Sequence, residues 1–154
     1  SLNLNNISLN ISVNVNETMP NLLILNFNNN PICNLNLNQS NSIMVLHLEN
    51  CSITNNHLDN QIIFSSLIHL MILNLNHNKL TTIRKKYFEK NTGISNLYLS
   101  CNLIEFIEND SFKSLIFSNL DLSLNRLKIF SNKYLYFSYF YANFNIDVRY
   151  NQLL

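Results

Sequence analysis

The sequence predicts a curved α/β solenoid, with a parallel β-sheet of short strands on the concave face and irregular or short-helical segments on the convex face. Three observations predict it. An eleven-residue pattern recurs in phase along the chain, its middle alternates apolar and polar residues as a half-buried strand does, and an Asn or Cys stands at the same late place in each well-formed copy.

The clearest copy is "LMILNLNHNKL", Leu70 to Leu80, apolar at places 1, 4, 6 and 11 with Asn78 at place 9. Leu73 and Leu75 alternate with Asn74 and Asn76, as in a half-buried strand and unlike the three-to-four spacing of an amphipathic helix. Downstream, Ile94 to Ile104 and Phe117 to Leu127 repeat the pattern with Asn102 and Asn125. Upstream, Leu22 to Ile32 carries Asn30, and Ile43 to Ile53 carries Cys51 instead. Frayed copies lie at the ends: Leu2, Leu4, Ile7 and Leu9 at the start, then Ile146, Val148, Asn151 and Leu153, with Asn143 where a leucine is expected. The ninth places step by 23, 21, 27, 24, 23 and 26 residues.

One such unit cannot bury its apolar side alone, so units stack and their strands lie side by side. A turn that leaves the strand toward the interior strands backbone N–H and C=O groups, each costing about 1–3 kcal/mol if buried unpaired. An amide supplies donors and an acceptor at once, so Asn30, Asn78, Asn102, Asn125 and Asn151 are expected to form a structural ladder, which Cys51 continues only weakly through its thiol.

The pattern L-x-x-L-x-L-x-x-N/C-x-L resembles that of the leucine-rich repeat family, matched closely five times and loosely twice. After the ninth place, apolar residues recur five and ten positions on, at Ile83, Ile107 and Phe130 and at Phe88, Phe112 and Leu135. This is similar to the repeat subtype of extracellular animal proteins such as Toll-like receptor ectodomains. The resemblance implies a horseshoe with a recognition surface, an extracellular or cell-surface location, and cysteine-rich caps that this chain lacks. The expectation is a single domain over residues 1–154 of about seven repeats, cut from a longer array.

Composition sets bounds. The chain is 47% hydrophobic and carries a net charge of +1, which gives no argument for nucleic acid or a membrane surface. No run of about 18 apolar residues occurs, so membrane attachment is expected only through a segment outside this chain. The 32 asparagines read as the product of an AT-rich coding sequence that also raises Ile, Leu, Tyr and Phe. Six N-x-S/T sequons, at Asn6, Asn10, Asn16, Asn38, Asn50 and Asn109, are hardly more than such a composition gives by chance; Asn109, and after it Asn6, are the candidate glycan acceptors. Cys33, Cys51 and Cys101 form no C-x-x-C pair, and Cys51 reads as a buried core thiol.

The sequence predicts no enzyme, no cofactor and no metal. His47, His57, His69 and His77 make no zinc-spaced motif, and Gly93, the only glycine, rules out a Gly-rich phosphate loop. Glu105, Glu108 and Asp110, like the basic run Arg84, Lys85, Lys86 and Lys90, read as solvated convex segments. Places 3, 5 and 7 alternate with the buried leucines and line the concave face. The partner-binding candidates there are His47, Glu49, Ile72, Tyr98, Asp121, Asp147 and Arg149, and Ile24, Val45 and Ile72 make an apolar row. The functional expectation is a recognition module of a receptor ectodomain with a protein or other macromolecular ligand, no nucleic acid, and a possible oligomer. The alternative is an intracellular scaffold that presents a docking surface.

Overall fold

The computed structural model describes residues 1–7, 11–14, 21–37, 42–60, 64, 66–135 and 144–154. Eleven strands run through them: β1 (Leu2–Asn3), β2 (Ile11–Asn14), β3 (Ile24–Asn26), β4 (Ile32–Asn36), β5 (Val45–His47), β6 (Ile72–Asn74), β7 (Thr82–Ile83), β8 (Asn96–Tyr98), β9 (Phe106–Ile107), β10 (Asn119–Asp121) and β11 (Asn145–Asp147). One six-residue helix, α1 (Asn55–Asn60), and two 3-10 turns, Lys85–Tyr87 and Asn132–Tyr134, complete the described elements.

The architecture is a parallel-sheet solenoid. Seven strands pair in the order β1-β3-β5-β6-β8-β10-β11, every neighbour parallel and one repeat apart. Register holds place against place: Leu46 faces Leu25 and Leu73, and Leu97 faces Leu73 and Leu120. The return segments add two small parallel pairs, β2 with β4 and β7 with β9.

Six of the seven strands of the large sheet are three residues long because only the stretch from place 3 to place 5 alternates before the chain turns inward. Leu25, Leu46, Leu73, Leu97 and Leu120 at place 4, and Phe27, Leu48, Leu75, Leu99 and Leu122 at place 6, are all buried. Each such side chain contributes roughly 1.5–3 kcal/mol by leaving water. Ile83, Ile107, Phe88 and Phe112 close the core from the return side, and Phe130 and Leu135 pack partly buried against it. Phe64, Phe88, Phe112 and Phe117 form a spine of neighbouring rings with centroids 6.2, 6.1 and 5.6 Å apart, within the range of favourable aromatic contact.

The ninth-place amides lock repeat to repeat. Asn102 Nδ2 donates to the Leu75 carbonyl of the preceding repeat and to Leu99 and Ser100 of its own, while its Oδ1 accepts from Leu80 N–H. Asn125 and Asn151 repeat this geometry, with Ile104 and Leu127 as the N–H donors. Asn78 reaches back to Leu48 and accepts from both Cys51 and Ile53. Asn30 reaches Leu4 and accepts from Ile7. Asn143 lies outside the described residues.

A second regularity has no counterpart in the leucine pattern. Place 8 is left-handed in every repeat: Asn6, Asn29, Asn50, His77, Cys101, Leu124 and Tyr150 have φ between 54° and 61°. Only Gly, Asn and Asp adopt this region cheaply. In the first three repeats an Asn takes it, and the side chains of Asn5, Asn29 and Asn50 chain together at 3.2 and 3.0 Å.

Candidate functional site on the sheet face

Strand alternation turns places 3 and 5 away from the core, and the bend that follows brings place 7 to the same side. Tyr98, Asp121 and Asp147 occupy place 5 of β8, β10 and β11 and face one another in register. Parallel strands lie about 4.8 Å apart, so the three side chains form a continuous strip. His47 and Asn74 continue it on β5 and β6, in register with each other.

Place 7 is more varied. Glu49 is half-buried and its Oε2 accepts from Asn74 Nδ2 at 3.1 Å. Ser100 and Ser123, expected among the lining residues, are buried instead, at 8% and 9% exposure. Both lie in the turn, where their carbonyls accept from Asn102 and Asn125; the longer side chains of Asn28 and Asn76 stay half-buried with the same bond at their carbonyls. Arg149 is exposed.

The place-7 N–H must be satisfied as the chain bends, and two side-chain devices share that task. Where place 5 is Asn or Asp, its own oxygen accepts: Asn26 from Asn28, Asn74 from Asn76, Asp121 from Ser123, Asp147 from Arg149. His47 and Tyr98 have no oxygen placed to do so. In those repeats the amide at place 7 of the preceding repeat substitutes, Asn28 accepting from Glu49 at 2.8 Å and Asn76 from Ser100 at 2.7 Å. Many asparagines that read as compositional excess therefore hold the turns, at places 5, 7 and 8. The signal that could have found them is the complementarity itself: Asn at place 7 whenever the next repeat lacks Asn or Asp at place 5.

Charge on the strip is concentrated at its C-terminal end. Arg149 holds Asp147 by a two-pronged ion pair, 3.0 and 2.7 Å, and the Arg149 hydrogen bonds keep that carboxyl below the usual range. Asp121 binds the Ser123 hydroxyl at 2.7 Å. The Tyr98 hydroxyl accepts from Asn96 Nδ2 at 3.2 Å. These contacts pre-set the side chains of the strip. Ile24, Val45 and Ile72 stand in register at place 3, the first exposed and the others half-buried.

The remaining expected groups are dispersed. Arg84 and Lys86 both pair with Asp59, at 3.0 and 2.9 Å, and Tyr87 donates to the same carboxylate. Burial opposes charge on Asp59, but the bonds from Lys86 and Tyr87 and the Arg84 charge hold its carboxyl below the ordinary value. Glu108 accepts from Lys85 N–H, and Arg84, Lys85, Lys86, Glu89 and Glu108 line an open depression of about 400 Å³. Of the charges there, Arg84 and Lys86 pair with Asp59 and Glu108 binds the Lys85 N–H. Glu105 meets Arg126 at 3.6 Å, away from Asp110, whose N–H binds the Lys133 carbonyl. Among the described residues no group of three His, Cys, Asp or Glu is gathered as metal ligands, and no helix is long and apolar enough to cross a membrane.

Cys51 is buried, its Sγ donating to the carbonyls of Phe27 and Glu49. Cys101 is a free, partly exposed thiol, and the Cys33 side chain lies outside the described residues. Asn6, Asn50 and Asn109 are exposed, Asn50 donating to Asn29. The other three sequons, at Asn10, Asn16 and Asn38, lie outside the described residues.

No protein-family model matches this sequence, and no curated protein matches it. Among solved structures, a chain from the crystal structure of a TLR13–ssRNA13 complex is similar over 88% of this chain, with 25% identity and a TM-score of 0.70. This chain spans 19% of that one. Strand register, amide ladder and structural likeness agree that the protein has a leucine-rich-repeat-like solenoid fold.

Proposed function

We propose that the chain is a non-catalytic recognition module, part of an extracellular or cell-surface receptor ectodomain, that binds a protein ligand on its sheet face. The observation that carries this reading is the strip Tyr98, Asp121, Asp147 and Arg149, four side chains in register or within two residues, held in place by intramolecular bonds, the first three half-buried and Arg149 exposed. Tyr and Arg are the types that most often dominate interface energy, and pre-set side chains lose less entropy on binding. His47, Glu49 and Ile72 extend the surface. In this reading the chain, with its about seven repeats, is a fragment of a longer array.

The neighbour's complex with single-stranded RNA makes nucleic acid the competing ligand class. Against it stand Glu49, Asp121 and Asp147 on the same face, with Arg149 already paired, since phosphate binding rests on Lys and Arg free to neutralise it. The test uses the immobilised chain as bait for cell-surface proteins, beside the double variant Tyr98→Ala/Arg149→Ala. Proteins retained by the parent and lost by the variant, at unchanged melting temperature, support the reading. Loss on Lys85→Ala/Lys86→Ala instead moves the site to the basic run. Salt-dependent binding of a single-stranded RNA oligonucleotide, with no protein retained, replaces it with the nucleic-acid reading.

Compartment is tested separately. Expression through a eukaryotic secretory pathway is expected to place glycan on Asn109, whose side chain is exposed beside the return strand β9. A secreted product without glycan favours an intracellular scaffold, for which the free thiols of Cys51 and Cys101 are the supporting observation.

A further inference from the structure

The sheet face carries negative charge that its own cations do not neutralise. Every Lys, and every Arg but Arg149, lies past the ninth place of its repeat, on the segments that lead away from the sheet. Asp147 is held by Arg149. Glu49 and Asp121 are bonded only to neutral groups: Glu49 Oε2 accepts from Asn74 Nδ2, and Asp121 Oδ1 accepts from the Ser123 N–H and hydroxyl. Among the described residues no Lys or Arg lies within ion-pair distance of either carboxylate.

Tyr98 stands between these two carboxylates. Register sets it beside Asn74, whose amide holds the Glu49 carboxylate, on one side and beside Asp121 on the other. Its hydroxyl accepts from Asn96, two residues back on the same face, so the ring leans along β8 rather than standing off the sheet. The face of an aromatic ring is the negative part of its quadrupole. Ring and carboxylates therefore attract the same sign of charge.

We infer that Tyr98, Asp121 and Glu49 form a cation subsite that takes Arg side chains from a basic, extended segment of the protein ligand. The inference rests on the sheet-face reading above and adds the chemistry of the partner. A guanidinium stacks on a tyrosine while its N–H fork bonds a carboxylate, which uses both kinds of group at once. Two strand spacings separate the carboxylates, about 10 Å, too far to gather one metal ion. Residues i and i+3 of an extended chain span the same distance, about 10 Å, so a segment Arg-x-x-Arg sets one guanidinium at each carboxylate with the ring between them. An anionic partner is repelled, and an apolar one would strip water from two carboxylates and leave them unpaired.

Titration of the full chain with the peptide acetyl-Ser-Arg-Ser-Ser-Arg-Ser-amide, followed by nuclear magnetic resonance, tests this beside the peptide with Glu in place of Arg. The Arg peptide is expected to bind saturably, shifting Asn74, Tyr98 and Asp121, and the Glu peptide not to bind. Asp121→Asn and Tyr98→Leu are each expected to weaken binding about tenfold. Asn at 121 keeps an oxygen for the Ser123 N–H, as Asn74 does for Asn76, so that turn stays capped. Should Tyr98→Leu disturb folding, Asp121→Asn and Glu49→Gln carry the test. Tyr98→Phe, which keeps the ring, and Glu105→Gln, the same charge change on a return segment, should bind like the parent. No binding of the Arg peptide, equal binding of the Glu peptide, parent-like binding by Asp121→Asn, or equal weakening by Glu105→Gln overturns the subsite. Cell-surface proteins lost on Tyr98→Ala/Arg149→Ala but not displaced by the Arg peptide also overturn it, while leaving the recognition face standing.

Discussion

The Cys51 thiol sits 3.2 Å from the Phe27 carbonyl oxygen, where the other repeats place an amide nitrogen. The exchange is incomplete. A thiol has no acceptor to match Oδ1, and Ile32 N–H, which would bind that oxygen, turns to the Cys51 backbone carbonyl at 3.1 Å. Burial pushes the Cys51 pKa from 9.0 to about 11, against the opposing effect of nearby backbone hydrogen bonds.

The raised value gives a pH dependence of definite sign. The folded state favours the neutral thiol, so its contribution is complete below pH 9, the ordinary value, and is lost as pH rises through 11. Between those limits the parent should lose on the order of 2 kcal/mol more than Cys51→Ala. Urea denaturation of both proteins at the two ends measures this, and parallel losses would refute it. Alkylation of the folded protein should meanwhile label Cys101 before Cys51.

Asn102→Ala removes one acceptor and three donated bonds in the buried turn, leaving Leu80 N–H unpaired. The expected loss is about 3 kcal/mol. Asn96→Ala, on the sheet face, should cost less than about 0.5 kcal/mol. Equal losses in equilibrium unfolding would invalidate the assignment of faces.

Asn76 is expected to behave unlike an ordinary sheet-face residue. Its oxygen caps Ser100 N–H because Tyr98 cannot, so Asn76→Ala should cost about 1–2 kcal/mol. Tyr98→Asn supplies a place-5 oxygen to the same N–H and should recover part of that loss. A double-mutant cycle with no coupling energy would refute the exchange of roles.

Leu124 is half-exposed in the left-handed region, φ 54°. Leu124→Asn should therefore stabilise the protein by about 0.5–1 kcal/mol, read as a higher melting temperature. A lower one would mean that the side chain packs more than its exposure indicates.

The leucine spacing alone made the strands, their parallel order and the ninth-place ladder legible, because a fixed period states which side chains share one interior. The place-7 capping scheme was not legible. It depends on which residue of the neighbouring repeat carries an oxygen, a relation between copies rather than within one. The burial of Ser100 and Ser123 escaped for a similar reason: strict alternation describes a strand, and place 7 already lies in the turn. The left-handed place 8 left no trace in repeats where His77, Cys101, Leu124 or Tyr150 stands in place of Asn. Tyr98, Asp121, Asp147 and Arg149 could be placed on one face from spacing, but the bonds that hold them, Tyr98 with Asn96, Asp121 with Ser123 and Asp147 with Arg149, follow from side-chain geometry.

The ninth-place amides point in one direction along the chain: Asn78 completes the turn that contains Cys51 and Ile53, Asn102 the turn at Leu80, Asn125 the turn at Ile104. Each turn is finished by a residue made 21 to 27 positions later. On a ribosome, which delivers the chain from its first residue onward, every coil would thus wait unsealed until the next has emerged, so that closure follows translation one coil behind.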